Sequence, residues 1–147
     1  MKTLRWRSTA SLAAFLAFMI GFWARPGLQA ATLTDRFADR PVAGGTLASF
    51  DGDSTLAGSE VGEPDHGGAR RRTLWSAWTA PGSGTVTITT STGSSTFNTV
   101  LAVYAGTALT NLFPVAQNDD VEPGFRWSEV TFPTKAGVTY SDRKAHV

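Results

Sequence analysis

Residues 74–106 limit the possible folds of this chain more than any other stretch. They hold three short runs, Leu-Trp-Ser-Ala-Trp-Thr, Gly-Thr-Val-Thr-Ile-Thr-Thr and Thr-Val-Leu-Ala-Val-Tyr, parted by Pro, Gly, Ser and Asn. β-Branched and aromatic side chains fit a pleated, half-buried surface, and Gly/Pro clusters end each run. In residues 84–92, Val86 and Ile88 fall on one face and Thr85, Thr87 and Thr89 on the other, so one face is expected in a core and one in water. Residues 99–104 are apolar nearly throughout, as in a strand buried on both faces.

Weaker signals of the same kind flank this centre. Residues 46–50 predict a short strand anchored by Leu47, and residues 55–61 a second built on Leu56 and Val61. Residues 112–116 predict an edge strand, because Pro114 has no N–H to give a ladder. Residues 126–132 alternate, with Val130 and Phe132 opposed to Glu129 and Thr131. Residues 31–40 read as a short helical turn or an extended lead-in around Phe37. Short strands at this spacing, with turn residues between them, predict an all-β, antiparallel β-sandwich. The alternation starts again at residues 137–140 and stops, leaving residues 141–147 charged and polar. The last strand is therefore expected to be missing and the domain incomplete at its C-terminus. A sheet without its closing strand exposes unpaired backbone groups, so we expect marginal stability and a thermal midpoint below about 60 °C.

The start of the chain has a different character. Lys2, Arg5 and Arg7 precede an apolar run at residues 12–23, and Ala30 and Ala31 offer small residues for cleavage. This is the layout of a secretory signal peptide, whose apolar core is typically about 7–15 residues against about 20 for a membrane span. An uncleaved anchor is the alternative. The expected organisation is a signal peptide at residues 1–30 and a single domain at 31–147. Lys2, Arg5, Arg7 and Arg25 all lie in the leader, so the formal +1 of the whole chain becomes −3 for the remainder. A mildly acidic domain has no general electrostatic reason to bind nucleic acid or, once the leader is cut, an anionic membrane. Cysteine is absent, so an exported product relies on its core, or on a metal, instead of disulfides.

Taken together, several segments resemble one family. They are residues 62–66 (Gly-Glu-Pro-Asp-His), 74–81 (Leu-Trp-Ser-Ala-Trp-Thr-Ala-Pro) and 84–88 (Gly-Thr-Val-Thr-Ile). Residues 96–104, 115–120 (Val-Ala-Gln-Asn-Asp-Asp) and 130–132 (Val-Thr-Phe) complete the set. In this order they are similar to the bacterial pre-peptidase C-terminal domain, over residues 35–140. The resemblance implies a secreted β-sandwich of jelly-roll or immunoglobulin-like form that sits beside the catalytic domains of extracellular enzymes. It also implies a module that is not itself an enzyme, and that binds calcium or a polymeric substrate in some members. The chain departs from the family at Asn98, where Asp is usual, and after Tyr140, where an apolar strand is usual.

The densest acidic cluster is Asn118, Asp119, Asp120 and Glu122, to which the turn residues Asp51 and Asp53 add two carboxylates. Calcium takes roughly six to eight oxygen ligands, so these residues form the candidate calcium site. The structural alternative is a solvated turn, since Asn and Asp bond their own backbone. Glu63, Asp65 and His66 are a poorer metal set, because no cysteine supports them and zinc rarely relies on carboxylates. No Gly-x-Ser-x-Gly element points to a hydrolase. Arg70, Arg71 and Arg72 form a basic run of the kind that is usually a solvated loop. Trp75, Trp78, Phe97, Tyr104 and Phe132 suit a core, whereas Trp127, beside Arg126 and the acidic loop, is the aromatic candidate for a binding surface. The expected function is a secreted, non-catalytic accessory module or spacer that binds an extracellular polymer or protein partner. The second reading is the N-terminal fragment of a secreted hydrolase whose catalytic domain lies downstream.

Overall fold

A computed structural model describes residues 3–9, 30–65, 72–91 and 98–146. The apolar run at 12–23, His66, Arg70, Arg71, Phe97 with its loop, and Val147 lie outside the described residues. The strands are β1 (Thr3–Thr9), β2 (Ala31–Thr32), β3 (Val42–Gly44), β4 (Leu47–Asp51), β5 (Leu74–Thr79), β6 (Gly84–Thr89), β7 (Thr99–Ala105), β8 (Phe113–Asn118), β9 (Glu129–Thr134) and β10 (Thr139–His146). Among the described residues they form two five-stranded sheets, in the orders β2-β4-β1-β6-β9 and β3-β5-β10-β7-β8. Pairing is antiparallel except for β2 on β4 and β3 on β5, which are parallel.

The sheets face each other across one core. Ala48, Phe50, Val86, Ile88, Val130 and Phe132 of the first sheet meet Leu74, Trp78, Leu101, Val103 and Tyr140 of the second. This is the β-sandwich that the alternation of residues 84–92 and 126–132 predicts. Burying each such side chain stabilises by about 1.5–3 kcal/mol. Tyr140 sits among Trp78 and Phe132 with ring centroids 6.5 and 5.3 Å away, and its hydroxyl accepts a bond from the Lys135 amide. Trp75 and Trp78 are three residues apart, so they leave β5 on opposite faces. Trp78 enters the core, while Trp75 packs outside the second sheet with Phe37, Ala102 and Tyr104. Phe37 reaches it from a 3-10 turn, Phe37–Asp39. Gly52 is required by close approach: a Cβ there would stand 2.7 Å from the Leu33 Cβ and 2.9 Å from a Leu74 methyl.

Three expectations are corrected. Residues 55–61 form turns and irregular backbone, with Leu56 and Val61 fully in water. Their apolar residues have no partner strand, and Gly58 breaks the run. Leu47 does not anchor β4. It is exposed, and Ala48 and Phe50 are the buried pair, because the register places the even positions inward. The strand that begins near Tyr140 does not stop there. β10 continues to His146 and pairs with β5 and β7 on its two sides, so backbone pairing carries charged residues into the middle of a sheet. As predicted, β8 is an edge strand, with a register irregularity opposite Pro114.

The structure also puts a strand where the sequence leads one to expect the basic head of a leader. β1 lies between β4 and β6 and is antiparallel to both. Residues 3–9, Thr-Leu-Arg-Trp-Arg-Ser-Thr, have period-two alternation of their own, although Arg5 and Arg7 also make a basic leader start.

Candidate functional site

The connection from β8 to β9, residues 119–128, crosses from one sheet to the other at one end of the sandwich and carries most of the candidate site residues. Its base is fixed from below. Ser128 is fully buried, and its hydroxyl lies against the carbonyls of Thr99 and Asp119. Its amide donates to Thr90 Oγ1 at 2.8 Å, and the Thr90 and Thr99 hydroxyls bond each other at 2.7 Å. The Thr99 amide donates to the Arg126 carbonyl at 3.0 Å, and the Val121 amide to the Trp127 carbonyl at 3.0 Å. The Asn118 side-chain carbonyl accepts from the Glu129 amide. Buried polar groups satisfied in this way hold a loop in one shape.

That anchored loop presents aromatic surface. Phe125 is 49% exposed, Arg126 is exposed and Trp127 half-buried. The Phe125 and Trp127 rings meet edge to face, with centroids 6.2 Å apart and planes at 79°. Such a pair fixes the orientation of both rings. Trp127 was legible from sequence as the aromatic outside the core. Phe125 was not, because a lone Phe after Gly124 has no pattern to mark it. Beside the loop, Val100, Gln117, Asn118 and Asp119 line a shallow depression of about 190 Å³.

The acidic residues do not converge. Among the described residues, no group of three or more His, Cys, Asp or Glu could hold a metal ion. Asp53 Oδ1 accepts from the Thr55 amide and hydroxyl at 2.9 and 2.5 Å, which is the self-bonded turn that Asp ordinarily makes. Asp51 ends β4 with Oδ1 buried and unbonded. The Asp119 carboxyl is raised above its usual range, first by partial burial and then by the charge of Asp120.

A second polar centre escaped the sequence reading. Glu63 and Arg143 form an ion pair at 2.6 Å with side chains 4% and 1% exposed. Arg143 also donates to the Pro64 carbonyl at 2.7 Å. Glu63 accepts from the Thr73 hydroxyl at 3.0 Å and from Trp75 Nε1 at 3.3 Å. This network pins the loop after β4 onto the outer face of the second sheet. An open depression of about 310 Å³ lies over it, lined by residues 59–64 and Arg143, but the two charges are buried against each other. Glu63 was visible in the sequence as a loop acid. Its partner stood in the charged tail, where no motif marked it.

No family model, curated protein or solved structure matches this chain.

Proposed function

We propose that this chain is a secreted, non-catalytic β-sandwich module that binds an extracellular polymer or protein surface through the β8–β9 loop. The observation that carries the reading is the half-exposed Phe125–Trp127 pair, held on a loop whose base is bonded through Ser128. Aromatic faces fixed in advance stack on sugar rings or extended peptide at little ordering cost. The layout of residues 1–30 supports export. Two buried acids are unsuited to catalysis. Asp142, whose carboxyl is raised to about 6 by burial against the opposing pull of Ser76, its own backbone and Lys144, is sealed from solvent. Glu63 is locked by Arg143. Asp142 is out of reach of a substrate and Glu63 is neutralised by its ion pair, whereas a catalytic carboxylate needs contact with the proton it moves. The resemblance to the pre-peptidase C-terminal domain points the same way.

The test is retention on insoluble polysaccharides (cellulose, chitin, peptidoglycan) and on denatured collagen. Trp127→Ala with Phe125→Ala is expected to cut retention about tenfold, since each stacked ring contributes about 0.5–1.5 kcal/mol beyond the area it buries. Unfolding midpoints should stay within a few degrees of the parent. Retention unchanged by the double substitution would remove the loop as the site.

A further inference from the structure

We infer that the place between β4 and β6 is a strand-accepting slot, which takes from a partner an extended segment alternating apolar with basic or hydroxyl residues. That the slot becomes vacant rests on the export reading; its shape and chemistry do not.

β1 fills this place without being built into it by a turn, because no short connection joins it to β4 or β6. Its register defines what fits. Position 4 stands opposite Phe50, position 6 opposite Ala48 and Ile88, and position 8 opposite Val86, all four being core residues. Positions 5 and 7 stand in the other set of rows. Position 5 lies between Ser49 and Thr89, and Thr89 pairs with Glu129 in β9. Position 3 lies opposite Asp51. An apolar residue is therefore favoured at every second place, and a basic one at positions 3 and 5, whose rows carry Asp51 and Glu129; the row of position 7 runs through Leu47 and Thr87 and takes either a basic or a hydroxyl residue.

Removal of residues 1–30 takes β1 away. β4 and β6 are both antiparallel to it, so they run parallel to one another, about 10 Å apart at two inter-strand spacings. Each then presents an unpaired row of N–H and C=O groups to the gap. They cannot close on each other cheaply. β4 is held by β2 and β6 by β9, and both pack against the opposite sheet. A gap of one strand's width, with edges of fixed polarity and an apolar floor, is the geometry that β-strand addition uses.

The experiment uses the full chain with a specific protease sequence inserted between residues 20 and 21. After cutting, the complex is challenged with a fluorescent synthetic peptide of residues 1–10. The expected result is uptake of one peptide per chain, with slow hydrogen exchange retained in β4 and β6. Peptides carrying Arg5→Pro and Arg7→Pro, or the same residues scrambled, should bind at least tenfold more weakly. In the cysteine-free full chain, Arg5→Cys should cross-link with Ser49→Cys or with Thr89→Cys, whichever is the narrower pair. Arg5→Cys with Thr131→Cys, two strands away, should stay reduced. The inference fails if the peptide is not taken up, if proline and scrambled peptides bind equally, or if β4 and β6 stay protected once the first fragment has left. Should the cut chain unfold, refolding with the peptide must restore a cooperative transition, and failure to do so also overturns it. The mass of the exported product tests the export reading separately, so either idea can fail alone.

Discussion

Asp142 and Arg143 are neighbours in sequence whose side chains enter different layers. Alternation on β10 turns Arg143 outward to Glu63 and Trp75, and places Asp142 inward beside Ser76. Asp142 is fully buried with Oδ2 unbonded, so burial raises its carboxyl from the ordinary 3.8 to about 6. The folded state holds this proton more tightly than the unfolded chain does. Its contribution is greatest below pH 4 and falls as pH rises to about 6, a loss of about 3 kcal/mol for a shift of about two units. Urea unfolding of Asp142→Asn and the parent should therefore diverge with pH. The advantage of Asn should grow by about that amount between pH 3.5 and 7.5, and a constant difference would contradict the burial. Arg143 predicts the opposite kind of result. Glu63→Ala leaves a guanidinium buried without its counter-charge, which costs about 3–5 kcal/mol. The same denaturation at pH 7 checks it, and a loss below about 1 kcal/mol would mean that water reaches the pair.

At the scale of one element, β10 does the work of a core strand with residues unsuited to it. Asp142 and Lys144 pair across from Val103 and Leu101, which are both core residues, and both are buried. Replacing buried charges by apolar side chains of similar volume is often neutral or stabilising by about 1–4 kcal/mol. Asp142→Val with Lys144→Leu should accordingly raise the thermal midpoint by several degrees, read by calorimetry, and a lower midpoint would mean that the charges stabilise the strand. β10 also shows where the sequence could and could not be read. β6, β7 and β9 were legible because Val86, Ile88, Val130 and Phe132 alternate with Thr and Glu, and because residues 99–104 are apolar nearly throughout. β10 was legible only to Tyr140, since beyond it backbone pairing on both sides overrides a polar pattern. Residues 55–61 misled in the other direction, as Leu56 and Val61 look like strand anchors but meet no partner. In the candidate site, Trp127 was readable because it lies beside Arg126 and the acidic loop. The Glu63–Arg143 pair was not, since its members are 80 residues apart and only the fold brings them together.

For the molecule as a whole, the balance turns on β1, which divides the first sheet into two pairs. Without it, β2 with β4 and β6 with β9 remain as separate two-stranded ribbons leaning on the second sheet. Two-stranded ribbons are marginal in water, whereas the second sheet keeps all five of its strands. A chain of residues 30–147 should therefore lose stability unevenly. Losing the two ladders of a central strand costs several kcal/mol, and each kcal/mol shifts the midpoint by about 4–8 °C in a small domain. We expect the midpoint to fall by at least about 10 °C relative to the full chain. Hydrogen exchange should locate the cause: amides of β4 and β6 should exchange much faster than in the full chain, while those of β7 and β10, in the intact sheet, change least. Equal midpoints, or equal protection of β4 and β6 in the two chains, would mean that the first sheet closes without β1 and that the two halves of the sandwich do not depend on it.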